Sequence, residues 1–220
     1  MNRASDGQAP RYFGVYPAIV TDIVDPNSLG RIQVKFPWLG QKGSDEVRAW
    51  ATLLSPYADD DQGLEILPSV DSQVVVAFEA GILRRPYIVG AGWNGSETLP
   101  EAPAAPNNKR LLKTRSGSRL EFDDTDGAEK VTVEMQSGHK LVLDNGGQQV
   151  TLTHSNGCTL TMDVSGKVAI QANSSVDVTA PMLNVHAPTA TFDGLINCTT
   201  LVASASVVSP SYTPGAGNIW

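Results

Sequence analysis

The side chains in this 220-residue chain best suited to metal or nucleophilic chemistry are three histidines and two cysteines: His139, His154, His186, Cys158 and Cys198. A structural zinc site takes four Cys or His ligands at short, fixed spacings, and these five residues show no such spacing. His139 and His154 sit beside turn signals, and His186 lies between Val185 and Pro188, all on segments that read as strands. In a symmetric oligomer each would recur as a ring, and a ring facing the axis could hold a metal. The expectation is ordinary solvated histidines, with no metal and no cofactor. Cys158 and Cys198 read as buried, inert thiols, and two cysteines build no disulfide framework. A Ser or Cys nucleophile needs a base at a defined place. No Gly-x-Ser-x-Gly segment occurs and the histidines are scattered, so no catalytic residue is nominated and the chain is not expected to be an enzyme. Asp59-Asp60-Asp61 lacks the alternate spacing and closing Glu of a calcium loop and reads as a solvated loop. Asp123 and Asp124 are adjacent, so on a strand they would face opposite sides; they read as the turn after Phe122.

The elements that must position these residues are strands. No apolar i, i+3, i+4, i+7 pattern with a cap is sustained anywhere, whereas period-2 alternation is frequent. In the first half the strands are expected at 12–22, 30–36, 47–54, 73–78 and 87–90, separated by Gly, Pro and Asp turns. Five such strands suggest a small closed or partly closed barrel. Asp25-Pro26-Asn27 followed by Gly30 is a turn with a mechanism, because Pro fixes φ and Asn or Gly accepts a left-handed backbone. Leu99 to Asn108 holds three prolines and reads as a linker.

Beyond the linker the alternation becomes regular, as in Val131/Val133, Leu141/Leu143, Val150/Leu152, Leu160/Met162, Val168/Ile170, Val176/Val178 and Leu183/Val185. A weak repeat pairs Ser116-Gly117 with Leu120, Ser137-Gly138 with Leu141 and Asn156-Gly157 with Leu160, at the offsets of a solenoid. Residues 150–209 carry only four charges: Asp163, Lys167, Asp177 and Asp193. Short strands with one apolar residue in two bury little area against a backbone cost of roughly 1–2 kcal/mol per residue. Winding several copies about one axis gives each inward Val, Leu or Ile neighbours from other chains and removes sheet edges. That argues for an obligate oligomer. Three chains suit a triangular prism, though composition alone does not fix the number.

Charge and composition close off other classes. The net charge is −7, from 16 Lys and Arg against 23 Asp and Glu. A net acidic chain is ill suited to neutralising phosphates, so no nucleic-acid partner is expected. No apolar run approaches the roughly 18 residues of a membrane span, and the first ten residues lack the apolar stretch of a secretory signal.

Five fragments resemble one family. Gly30, Arg31, Phe36, Pro37 and Trp38, within Leu29-Gly30-Arg31-Ile32-Gln33-Val34-Lys35-Phe36-Pro37-Trp38, are similar to the GR-V-FPW strand of baseplate spike proteins, a family that includes VgrG-type proteins and phage baseplate assembly protein V. Val47 to Ala51 resembles its WVRVA strand with the order altered, and residues 67–78 its PRVGDEVLVAF segment. Arg85, Pro86 and Gly90 fall in a match to RP-IVG. Ser116 and Gly117 fall in Lys113 to Asp124, which resembles KTRSGHTLEFDD, the entry to the family's needle. These fragments span roughly residues 12–145, in the family's order.

The resemblance implies an all-β chain: an N-terminal OB-fold barrel followed by an intertwined trimeric β-helix, or β-prism, needle. The implied boundaries are an N-terminal arm at 1–14, the barrel at 15–98, a linker at 99–110, the needle at 111–208 and a C-terminal tip segment at 209–220. The implied role is the structural central spike of a contractile injection baseplate, in a phage tail or an injection particle, assembled in the bacterial cytoplasm. It would pierce a target envelope with only transient membrane contact. The long hub domains of VgrG proteins are missing before the barrel, which implies a separate hub protein on the N-terminal side. No lysozyme domain separates barrel from needle. The tail ends in Ile219-Trp220 after two prolines and two glycines, and a terminal Trp offers on the order of 200 Å² of largely apolar area. Tyr212, Ile219 and Trp220 are therefore candidate contacts for a PAAR-type tip protein. Two other classes stay open at this point, a wall- or glycan-binding OB-type enzyme fragment and a β-solenoid adhesin or receptor-binding fibre.

Overall fold

The computed structural model describes residues 10–40 and 46–209. They divide into two units, one ending at Gln171 and the other starting at Ala172. The described residues form no α-helix, and so none long and apolar enough to cross a membrane.

Five strands close into a barrel in the order β1-β2-β3-β7-β6: β1 (Val15–Asp22), β2 (Arg31–Lys35), β3 (Arg48–Leu53), β6 (Gln73–Phe78) and β7 (Pro86–Ala91). All five expected strands are present with ends shifted by at most a few residues. Alternation explains why. In β2 and β6 every second residue is buried: Ile32 and Val34 in one, Val74, Val76 and Phe78 in the other. These pack with Ala18, Val20, Phe36, Ala51 and Ile88 as the core. β3 and β7 run parallel, while the neighbours of each run antiparallel. This sets the two ends of the barrel. At one end lie the β1–β2 turn, the β3–β6 connection and the exit of the chain from β7. The other end is capped by an aromatic cluster of Tyr12, Tyr16, Phe36, Trp38 and Phe78, with Tyr16 stacked on Trp38 at 4.7 Å.

Within the β3–β6 connection, β4 (Ala58–Asp59) and β5 (Gln62–Gly63) make a small hairpin that alternation does not reveal. Asp59-Asp60-Asp61 is its tip. The expected N-terminal arm is described only from residue 10, and there it is held by the barrel. The Tyr12 N–H donates to the Gly81 carbonyl at 2.9 Å, and the Arg11 guanidinium donates to that of Ala80.

The second sheet has seven strands in chain order: β8 (Lys109–Lys113), β9 (Arg119–Asp123), β10 (Lys130–Glu134), β11 (Lys140–Asp144), β12 (Gln149–Thr153), β13 (Thr159–Met162) and β14 (Val168–Gln171). Pairing begins at Lys109, two residues inside the segment read as linker. The expectation of strands wound about a common axis is corrected for this stretch: each strand pairs antiparallel with its sequence neighbour in the same chain. The repeat seen in the sequence is therefore the hairpin period of a meander, two strands per repeat. Its Ser-Gly and Asn-Gly pairs are the turns at one end.

Residues 172–209 form no strand or helix. The alternation at Val176/Val178 and Leu183/Val185 does not become a ladder within one chain, because no neighbouring strand faces it there. Val178, Leu183, Val185 and Leu195 are exposed.

Candidate functional site

In the meander, register decides which residues share a face. Residues paired across strands lie on the same side, and successive residues on opposite sides. One row runs Leu112, Leu120, Val133, Leu141, Leu152, Leu160, Ile170, and the next runs Arg110, Phe122, Val131, Leu143, Val150, Met162, Val168. Thirteen of these fourteen are apolar, so one face is a continuous apolar surface. Eight of the apolar members stay open, from 44% exposed at Leu143 to 64% at Ile170, and the other five are half-buried. A soluble monomer rarely shows a contiguous apolar patch of this kind without using it.

The opposite face is mostly polar, and most of its charges are paired. Lys109, Asp123, Lys130 and Asp144 form a row of alternating charge, with Lys130 Nζ 3.0 Å from Asp144. Arg119 bridges to Glu121 at 2.6 Å and lies 3.8 Å from Glu134. Long charged side chains cover the middle row, so Glu121 and Thr132 are each 7% exposed although the sheet is a single layer. The Asp144 carboxyl is held below its ordinary value by the Gly147 N–H and by Lys130. Asp123 is lowered by the Thr125 hydroxyl and N–H. Charge pairing dominates one side, and open apolar area the other.

The candidate chemical residues do not assemble into a centre. His139 and His154 are cross-strand neighbours with ring centroids 4.3 Å apart, a pairing the sequence reading missed. The pairing of Lys140 with Thr153 brings them together. Each Nδ1 accepts a backbone N–H, from Ser155 and from Asn156 respectively, which helps close the β12–β13 turn. His186 lies in the second unit. Cys158 is half-buried and Cys198 exposed, neither in a disulfide, so the expectation that both are buried fails for Cys198. No group of three His, Cys, Asp or Glu suited to a metal occurs among the described residues. Asp123 and Asp124 turn apart, Asp123 to Thr125 and Asp124 to Arg110.

The motif residues have identifiable roles. Gly30 takes φ +67°, and Arg31 grips Asp25 at 2.7 and 3.0 Å across the β1–β2 turn while lying over Trp50. Phe36 is core, Pro37 follows it at the surface, and the Trp38 indole donates to the Pro17 carbonyl at 3.0 Å. Arg85 pairs with Glu79, Pro86 is buried at the start of β7, and Gly90 lies in an exposed part of that strand. Ser116 and Gly117 form the β8–β9 turn, with Gly117 at φ +86°. Tyr212, Ile219 and Trp220 lie outside the described residues.

Comparison with known proteins adds to this geometry. Residues 16–93, the barrel, match the family described as the type VI secretion system/phage-baseplate injector OB domain. Residues 16–93 are thus an injector OB domain of that family. The amphipathic meander follows this domain after residues 94–108. Among the chain's relatives are three type VI secretion system spike proteins of Pseudomonas aeruginosa strain PAO1. VgrG4b is 25% identical over 138 residues, covering 58% of this chain and 17% of that protein. VgrG1b is 25% identical over 125 residues, covering 53% and 17%. VgrG1a has the same identity and length of match, covering 53% and 19%. The injector-domain chain thus spans less than a fifth of the length of these relatives.

Proposed function

We propose that this chain is the central spike subunit of a contractile injection baseplate, and that it works as a homotrimer. The observation that carries the reading is the open apolar face of the seven-stranded sheet behind an injector OB barrel. Three such sheets, each turning its apolar face to a common axis, make a closed three-sided prism with charged outer walls. The low-charge residues 172–208, which lack ladder partners within one chain, gain them by winding with the same segments of two other chains. Rigidity and shape then do the work: sheath contraction drives the prism through a target envelope, and no bond is made or broken by the protein. The aromatic-capped end of the barrel faces the hub of the baseplate. The C-terminal segment, with Tyr212, Ile219 and Trp220, seats a PAAR-type tip protein.

The test is the mass of the purified full-length chain by light scattering. The expected value is three times the 23.3 kDa of one chain, persisting in SDS without heating. A monomer at micromolar concentration overturns the reading.

A further inference from the structure

The connection between β3 and β6 carries a second exposed apolar surface, on the barrel. Tyr57, Leu64, Ile66 and Leu67 are between 43% and 54% exposed. The segment is built to hold its shape: Ser55 Oγ donates to the Leu64 carbonyl at 2.8 Å, and the Leu64 N–H donates to the Tyr57 carbonyl at 2.9 Å. An ordered apolar loop in water implies a partner. Charge says what the partner looks like. Between Ser55 and Ser72 there are five carboxylates (Asp59, Asp60, Asp61, Glu65 and Asp71) and no Lys or Arg. None of the five makes an ion pair among the described residues.

The complementary surface lies on the same chain. Residues 109–119 carry five cations and no Asp or Glu. Lys109, Arg110 and Arg119 are engaged with Glu101, Asp124 and Glu121, whereas Lys113 and Arg115 make no ion pair among the described residues. β8 is an edge strand of its sheet, and the half-buried Leu111 shares the face of Lys113, opposite to that of Leu112. The β3–β6 connection is at the barrel end from which the chain leaves for β8, and residues 92–108 join that end to β8. Asp60 lies six residues past Leu54, at most about 20 Å of chain. Lys113 lies four residues into β8, about 13 Å.

We infer that the β3–β6 connection of one copy docks along β8 and the β8–β9 turn of a neighbouring copy, with its acidic tip on Lys113 and Arg115 and its apolar base on Leu111. The contact rests on the trimeric reading and adds a specific one: it locks each barrel to the next subunit's sheet and fixes the order of chains around the axis.

A charge swap tests it on the full-length chain. One variant carries Asp59→Lys, Asp60→Lys and Asp61→Asn, the last because residue 61 sits at φ +52°, which Asn tolerates. A second carries Lys113→Glu and Arg115→Glu, and a third combines both sets. Far-UV circular dichroism confirms that each remains folded. Each single set should lower the thermal dissociation midpoint of the trimer by about 5 °C at low salt. The combined variant should recover most of the loss, and 1 M salt should shrink the differences. Unchanged midpoints, or losses that simply add in the combined variant, overturn this contact while the wild-type trimer stands. A monomeric wild type overturns the spike reading itself.

Discussion

Asp25 and Arg31 show how one residue pair fixes a piece of the barrel. The Asp25 side chain is 2% exposed and accepts from Arg31 Nε and Nη2, and from the N–H groups of Asn27 and Leu29. The guanidinium beside it holds the carboxyl well below the usual value of 3.8, with the Asn27 and Arg31 N–H groups adding to the effect and burial opposing it. A carboxyl depressed on folding stabilises the fold above its unfolded value, and that contribution disappears as pH falls towards its folded value. Asp25→Asn should therefore melt below wild type at pH 7. The gap should be constant down to about pH 4 and close below it. A gap that persists undiminished at pH 2 would show that the turn depends on packing and not on the ion pair. Arg31→Lys keeps the charge but loses the two-pronged contact and the cation over Trp50, so it should lie between the two.

At the scale of elements, the meander is set by its turns. Four loops, three at one end of the sheet and the β13–β14 turn at the other, repeat a single bonding scheme. In the first, the Gly117 N–H donates to the Thr114 carbonyl and the Thr114 N–H to the Ser118 carbonyl; Gly138, Gly157 and Gly166 sit at the corresponding positions in the others. All four glycines have φ between +78° and +93°. A Cβ at Gly138 would meet Ser155 at an ordinary 3.6 Å, so Gly138→Ala carries only backbone strain, about 1–2 kcal/mol. At the other end of the sheet, a Cβ on Gly146 would lie 2.5 Å from the Gly127 carbonyl oxygen and 2.9 Å from Ala128 Cα. Gly146→Ala must shift backbone and should cost more, about 3 kcal/mol, by denaturant unfolding; equal costs would mean the two turns are held alike. This contrast also marks what the sequence made legible. Strand positions were readable because half-buried strands alternate, and Gly30 and Gly117 because their turns need positive φ. The meander was not, because its 19- and 21-residue offsets suit a coil as well as a hairpin period, and only register separates them. The β4–β5 hairpin was hidden for a related reason: two-residue strands are too short to alternate. The His139–His154 contact is a register effect as well, invisible until Lys140 is known to face Thr153.

For the whole molecule, the two faces of the sheet predict opposite responses to the same mutation. Leu152 is on the apolar face and 51% exposed in the single chain, while its neighbour Thr151 is on the polar face beside Val142 and Thr161. In an isolated chain, Leu152→Asp replaces an already half-wet side chain and should change stability little. In a closed prism it places three like charges near one axis, away from water, and unpaired buried charge costs several kcal/mol each. Thr151→Asp adds a carboxylate to a face that already carries Lys140, Glu134 and Arg119, with solvent outside it in the prism. Leu152→Asp should thus abolish the trimer in light scattering, while Thr151→Asp leaves the mass at three chains and lowers its thermal midpoint by a few degrees at most. The reverse pattern would mean the charged face is the one that turns inward, and the prism would have to be rebuilt with its apolar rows against an outer partner. If neither variant changes the mass, the subunits are held by the barrel and residues 172–208 alone, and the apolar face has a different occupant.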